Sequence, residues 1–238
     1  MKILIQFPTY ARPEKFTKCL EKYLSTYSSK HELHFNVNCD EDDDLCNNSK
    51  FVADVCGLFQ EKNNCTFSLR FDKNTTKISA INSHIDVRFF DFDIVICASD
   101  DMIPQEEGWD DIIATDMQTH FPHRDGALHY SDGYQKGKLI TLSILGRKLY
   151  DYFGYIYHPD YKSLYCDDEF TQQVYRLNRA KYIDRIIIKH EHYGEEGNSN
   201  SGDFDLSAKK TLHYAGRDQM VFEKRKELGF PKERITND

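Results

Sequence analysis

Residues 91–104, DFDIVICASDDMIP, constrain this chain more than any other stretch: a short apolar run, Ile94 to Ala98, breaks off in Ser99, Asp100 and Asp101. An apolar run of this length bounded by polar residues reads as a buried strand. Two carboxylates at its C-terminal end stand where open α/β sheets place their ligands. Adjacent carboxylates repel each other, and a divalent cation bridging them to a phosphate is an economical way to offset the repulsion. A solvated turn whose aspartate caps the next helix carries the same two residues, so the pair takes its meaning from the rest of the chain.

The preceding residues alternate between strand and helix patterns. Lys2 to Phe7 is an apolar strand, expected to end at Pro8 because proline has no amide hydrogen for a central ladder. Pro13 suits the first turn of a helix, and Phe16, Cys19, Leu20, Tyr23 and Leu24 follow at helical spacing. Residues 33–39 alternate as a second strand that runs into Asp40, Glu41, Asp42, Asp43 and Asp44. Phe51, Val52, Val55, Leu58 and Phe59 give a second helical stripe, residues 65–71 a third strand, and Ile78, Ile81 and Ile85 a third helix. This succession predicts an α/β domain with a largely parallel sheet, helices on both faces and functional loops at the strand C-termini.

In the second half, residues 126–132 and 138–146 read as strands, the latter followed by a helix from Arg147. Asp167, Asp168 and Glu169 open a further helix with Phe170, Val174 and Leu177 inward; acids at a helix N-terminus are stabilised by the dipole whether or not they have another role. Residues 182–189 read as one strand leading to His190, Glu191 and His192, and alternation puts both histidines on one face. Residues 194–207 read as a flexible loop, and 209–234 as a basic C-terminal helix with Leu212, Met220, Phe222 and Leu228.

Composition narrows the class. With 31 Lys and Arg against 39 Asp and Glu the formal charge is −8, so diffuse attraction to nucleic acid or anionic membrane is not the default. Seven cysteines without a Cys-x-x-Cys pair fit free thiols better than disulfides or a zinc knuckle. The apolar start is too short for a signal-peptide core or a membrane span, so a cytoplasmic protein is expected.

The segment FPTYARPEKFTKCLEKYL resembles the opening of the GT-A nucleotide-sugar glycosyltransferases, in particular the family-2-like group, whose first strand runs into a Pro-Thr-Tyr-x-Arg-Pro loop. Pro8, Thr9, Tyr10, Arg12 and Pro13 match it. The resemblance implies a single Rossmann-like GT-A domain with a central, mostly parallel mixed sheet: residues 1–104 as its nucleotide-sugar half and 105–238 as its acceptor half. Pro8, Thr9, Tyr10 and Arg12 would line the nucleotide, Asp40 at the end of the second strand would contact uracil or ribose, and Lys77 and Asn82 would lie near the diphosphate. Ser99, Asp100 and Asp101 resemble the Asp-x-Asp motif, with Ser where the first Asp would stand. Asp101 is the expected ligand of manganese or magnesium, Asp100 the contact to ribose or water, and His192, with His190 in reserve, a second ligand. The acidic cluster resembles the family's base motif, with Asp167 first and Glu169 second.

The activity implied is metal-dependent transfer of a sugar from a nucleotide diphosphate, UDP first, to a hydroxyl of a glycan, lipid-linked sugar, protein or modified DNA base, with inversion if a carboxylate lies in line behind the anomeric carbon and retention if none does. Lys209, Lys210 and Arg217 could close over a diphosphate or an anionic acceptor. A nucleotidyltransferase would use a similar sheet but wants a glycine-rich basic loop after the first strand, and residues 7–15 contain no glycine. A non-catalytic nucleotide-sugar-binding domain would differ by having lost the metal.

Overall fold

The computed structural model describes residues 1–74, 76–191 and 205–235. The chain runs β1 (Lys2–Thr9), α1 (Pro13–Thr26), β2 (Glu32–Asp40), α2 (Ser49–Leu58), β3 (Cys65–Asp72), α3 (Lys77–Asn82), β4 (Ile94–Cys97), β5 (Met102–Pro104) and α4 (Trp109–His120). It continues through β6 (Ala127–Tyr130), β7 (Ile144–Gly146), α5 (Arg147–Phe153), α6 (Cys166–Arg176), β8 (Ala180–Ile183), β9 (Ile188–His190), α7 (Leu206–His213) and α8 (Ala215–Glu227). Seven strands form one sheet in the order β3-β2-β1-β4-β7-β6-β8, and β5 pairs with β9 in a separate two-stranded ribbon. The β3-β2-β1-β4 half is parallel, and β7 is antiparallel to both of its neighbours.

Alternation along the central strands divides the core into two layers. Ile3, Ile5, Phe7, Ile94 and Ile96 pack with α1, α2 and α4, while Leu4, Val95 and Leu145 pack with α3, α5, α6 and α8. On the second face the sheet also carries buried Gln6, Asn36 and Asn38. Their amides donate to the carbonyls of Ala80, Ser83 and His84 at and just beyond the end of the short α3.

Several expected boundaries move. β1 continues through Pro8, which pairs in register with Asn38. Gln6 accepts from the Ala98 amide on the β4 side, and two residues on, the proline nitrogen faces the same side where β4 has already ended, so no ladder bond is lost. α3 stops before Ile85, and the strand expected over 138–146 shrinks to Ile144–Gly146. The strand expected over 182–189 divides into β8 and β9, which belong to different sheets.

The C-terminal helix divides at Tyr214 into α7 and α8, and its inward face is only partly the expected one: Phe222 is buried as expected, but Leu212, Met220 and Leu228 are exposed and Asp218, Val221 and Arg225 take the buried positions. Polar partners choose that face. Asp218 accepts from the amides of Lys162, Ser163 and Leu164 at 3.0, 2.7 and 2.9 Å. Arg225 grips both oxygens of Glu169 at 2.7 and 2.8 Å and reaches Asp160 at 3.2 Å. The side chains of all three are at most 2% exposed. Removing the cation would leave two carboxylates buried without it, so Arg225→Ala should lower stability by about 3–5 kcal/mol. Urea unfolding measures this, and a loss under about 1 kcal/mol, the scale of an exposed pair, would contradict it.

Candidate functional site

From β1 the chain builds outward to β2 and β3 on one side and then returns to add β4 on the other, so a crevice opens beyond the C-terminal ends of β1 and β4. Residues 8–12 and 99–101 face each other across it. Ala11 holds a left-handed backbone (φ 56°), unusual for a residue with a Cβ. Asp43 stabilises that turn: its buried carboxylate accepts from the Ala11 amide at 2.6 Å and from the Leu45 and Cys46 amides at 3.2 and 3.3 Å. The loop thereby directs Arg12 to Asp100, at 3.1 Å.

The two carboxylates that end β4 turn to different partners. Asp100 lies by Arg12 and, at 3.8 Å, by Lys15; burial raises its pKa, and Arg12 only partly offsets this. Asp101 accepts from the Ser99 hydroxyl, and its Oδ1 lies 3.5 Å from Nε2 of His190. Burial alone would push Asp101 upward, but His190, Ser99 and Lys77 together hold it below the ordinary carboxylate range. Pairing of β5 with β9 sets Met102 opposite His190, and the Glu191 amide donates to the Asp101 carbonyl, which brings that histidine to the motif. His192 lies outside the described residues, as do residues 194–204 of the expected loop; Asp205 caps α7 and Leu206 begins it.

Lys77 and Asp167 complete the group. Lys77 opens α3 behind a Thr76–Ser79 capping box and is accessible to solvent. Crowding favours its neutral form, yet the acidic groups around it, Asp101 and Asp167 among them, raise its pKa. Asp167 sits in the first turn of α6 after Tyr165, another left-handed residue (φ 62°). Burial holds the Asp167 carboxyl above its usual range against the opposing pull of Lys77, nearby backbone amides and His190. A carboxylate with a raised pKa in a cleft is suited to accept a proton. The neighbouring thiols of Cys97, pushed by burial to about 12, and of Cys166, held by burial well above the ordinary thiol range, stay protonated.

Toward the other edge, Asp40 ends β2 beside Tyr10. Burial raises its pKa against the influence of Lys210, whose ammonium donates to it. Thr9 is buried with no partner for its hydroxyl among the described residues.

Two candidates do not join the site. Glu169 is committed to Arg225 and also accepts from Tyr161 and Gln173 at 2.7 Å each, so it is a structural anion and not a second base. Asn82 donates to the Tyr157 carbonyl at 2.6 Å and accepts from the Ile156 and Tyr157 amides, so its side chain is held against the backbone of residues 156–157.

As a cation site, Asp101 and His190 offer one carboxylate and one imidazole. Among the described residues no group of three or more such ligands assembles. Two protein ligands fit an ion that completes its shell with phosphate oxygens and water, as magnesium and manganese do at phosphate sites.

No protein-family model matches the sequence, and no curated protein matches it. Solved structures do match. The mannosyltransferase PcManGT from Pyrobaculum calidifontis, in complex with GDP-Man and Mn2+, superposes with a TM-score of 0.62 at 14% identity, over 97% of this chain and 72% of that one. S. aureus TarS 1-349 in complex with UDP-GlcNAc gives 0.58 at 18% identity over 85% of this chain, and the same fragment alone gives 0.58 at 17% over 79%. The chain has the GT-A fold. It spans 60–62% of the length of the TarS fragment in these two matches. No described helix is long and apolar enough to cross a membrane.

Within this GT-A fold two residues of the crevice escaped the sequence reading. Asp43 stood in a run of acids with nothing to single it out. Asp205 fell in the expected loop, although an aspartate directly before a helical stretch is an N-cap signal; it caps α7 and holds Arg12 at 2.6 and 2.9 Å. Asp43→Ala would leave the Ala11 and Leu45 amides without their carboxylate acceptor, while the Cys46 amide keeps the Asp43 carbonyl, so stability should fall by at least about 1 kcal/mol. Hydrogen exchange at the Ala11 amide should also accelerate, and unchanged protection there would rule out the proposed clamp.

Proposed function

We propose that the protein transfers a glycosyl group from a nucleotide-diphosphate sugar, with UDP the first nucleotide to test, to an acceptor hydroxyl, inverting the anomeric centre. The observation that carries this reading is the convergence of Asp101, His190, Lys77 and Asp167 at the switch-point crevice of a GT-A fold. The fold likeness includes one protein solved with GDP-Man and Mn2+ and another with UDP-GlcNAc, which supports a nucleotide sugar as ligand.

In this reading residues 8–12 and Asp40 hold the nucleoside, with Ser99 and Asp100 beside it. Asp101 and His190 would hold magnesium or manganese, which supplies positive charge to the leaving diphosphate. Lys77 adds a fixed cation on the same side, where negative charge develops as the glycosyl bond breaks. Asp167, kept basic by its surroundings, takes the proton of the attacking hydroxyl. The acceptor belongs to the classes that carry a free hydroxyl: glycan, lipid-linked sugar, protein or modified DNA base.

The test is a screen of UDP-, GDP- and TDP-sugars for transfer or hydrolysis, with manganese and then with chelator, on the unmodified chain and Asp167→Asn. Turnover should require the metal and fall at least about a hundredfold in Asp167→Asn. Nucleotide affinity should scarcely change in that variant, because the base acts on the acceptor. NMR of the product should show the inverted anomer. No turnover of any donor would overturn the reading, and full turnover in Asp167→Asn would remove Asp167 from the chemistry.

A further inference from the structure

Three of the groups assigned to the nucleotide are occupied by one helix. Lys210, in α7, donates to Oδ2 of Asp40, and its ammonium stands 3.9 Å over the centre of the Tyr10 ring. Asp205, the N-cap of the same helix, holds the Arg12 guanidinium through two hydrogen bonds, Nε to Oδ2 at 2.6 Å and Nη2 to Oδ1 at 2.9 Å. In both places α7 presents the charge complementary to the group below it. The contact on Arg12 is the two-pronged one an anion makes with a guanidinium, and the contact on Tyr10 is the face-on position a stacked base would take.

α7 lies on the surface of the fold. None of its eight residues is buried, so it contributes no side chain to the core. An element held by surface polar contacts belongs to the low-stability end of a fold and can leave while the rest stays intact.

We propose that α7 is an internal occupant of the nucleoside subsite: Lys210 and Asp205 satisfy Asp40, Tyr10 and Arg12 while no donor is bound, and the helix withdraws when a nucleotide takes the same groups. The proposal rests on the nucleotide-sugar reading. It makes the apparent donor affinity the intrinsic affinity reduced by the fraction of molecules with α7 withdrawn. Weakening either contact should therefore tighten donor binding. The opposite role, in which Lys210 reaches the bound donor, would make its loss weaken binding.

Calorimetry on the full chain with UDP, GDP and TDP, in manganese, compares the unmodified protein with Lys210→Met and Asp205→Asn. Methionine keeps the stem of Lys210 without its charge, and asparagine keeps the N-cap oxygen that accepts from the Ala208 amide. Both variants should bind the accepted nucleotide at least about threefold more tightly. Circular dichroism confirms that each is folded, and two independent variants guard against failure of one. Hydrogen exchange over residues 206–213 of the unmodified chain should accelerate when nucleotide is added. Equal or weaker binding in both variants, or slower exchange over α7 on nucleotide addition, overturns the proposal and leaves the donor reading standing. If no nucleotide binds to any of the three proteins, the donor reading falls and this proposal with it.

Discussion

Two carboxylates in succession at the end of a buried strand cannot share one environment without cost, and the crevice is organised around keeping them apart. Asp100 is drawn toward α1, where Arg12 and Lys15 face it. Asp101 is drawn the other way, to Ser99 and to the His190 that the β5-β9 ribbon supplies. The first arrangement fixes the loop after β1; the second leaves a carboxylate and an imidazole side by side at the mouth of the cleft. Asp43 and Asp205 serve the same division from farther out, one by holding the backbone turn that aims Arg12 and the other by taking the rest of its guanidinium.

A second charge network supports the other wall. The buried group of Arg225, Glu169 and Asp160 ties α8 to α6 and to the segment before it, and α6 presents Asp167 in its first turn. Such groups are costly to bury, and a well-packed apolar cluster could hold the two helices as firmly. Among the residues at the start of α6, this splits neighbours of like charge into different tasks: Glu169 turns inward to a cation, while Asp167 stays at the cleft.

Much of the first half was legible in the sequence because hydrophobic period and turn chemistry agree there. The stripe of Phe16, Cys19, Leu20, Tyr23 and Leu24 is buried as its spacing requires; in the second half, Arg147–Phe153 is helical where a helix was expected. The misreadings have physical causes. Pro8 sits inside β1 because its nitrogen faces a position that the shorter β4 has vacated, which only strand register reveals. The inward face of α8 was partly misplaced because an aspartate and an arginine are buried in it, satisfied by partners more than fifty residues away that no local pattern shows. Asn82 was expected near a diphosphate through the family resemblance, yet its side chain bonds the backbone of Ile156 and Tyr157. His190 reaches Asp101 through a ribbon between two three-residue strands, too short for periodicity to detect.

The crevice has a rival at the opposite end of the sheet, a concavity of about 570 Å³ lined by Lys2, Asp93, Arg124 and Arg147 among others. Its arginines are already paired with Asp91, Asp93 and Asp151, whereas the switch-point crevice holds the unlike pair suited to a cation and phosphate. Paramagnetic broadening by Mn2+ together with UDP distinguishes the two ends in one spectrum. With the ion bound at Asp101 and His190, the amide signals of Ser99 to Met102, Lys77 and Lys189 to Glu191 should broaden beyond detection while those of Arg124 and Arg147 stay sharp. Broadening centred on Arg124 and Arg147, or uniform broadening across the sheet, would contradict the placement of the donor site.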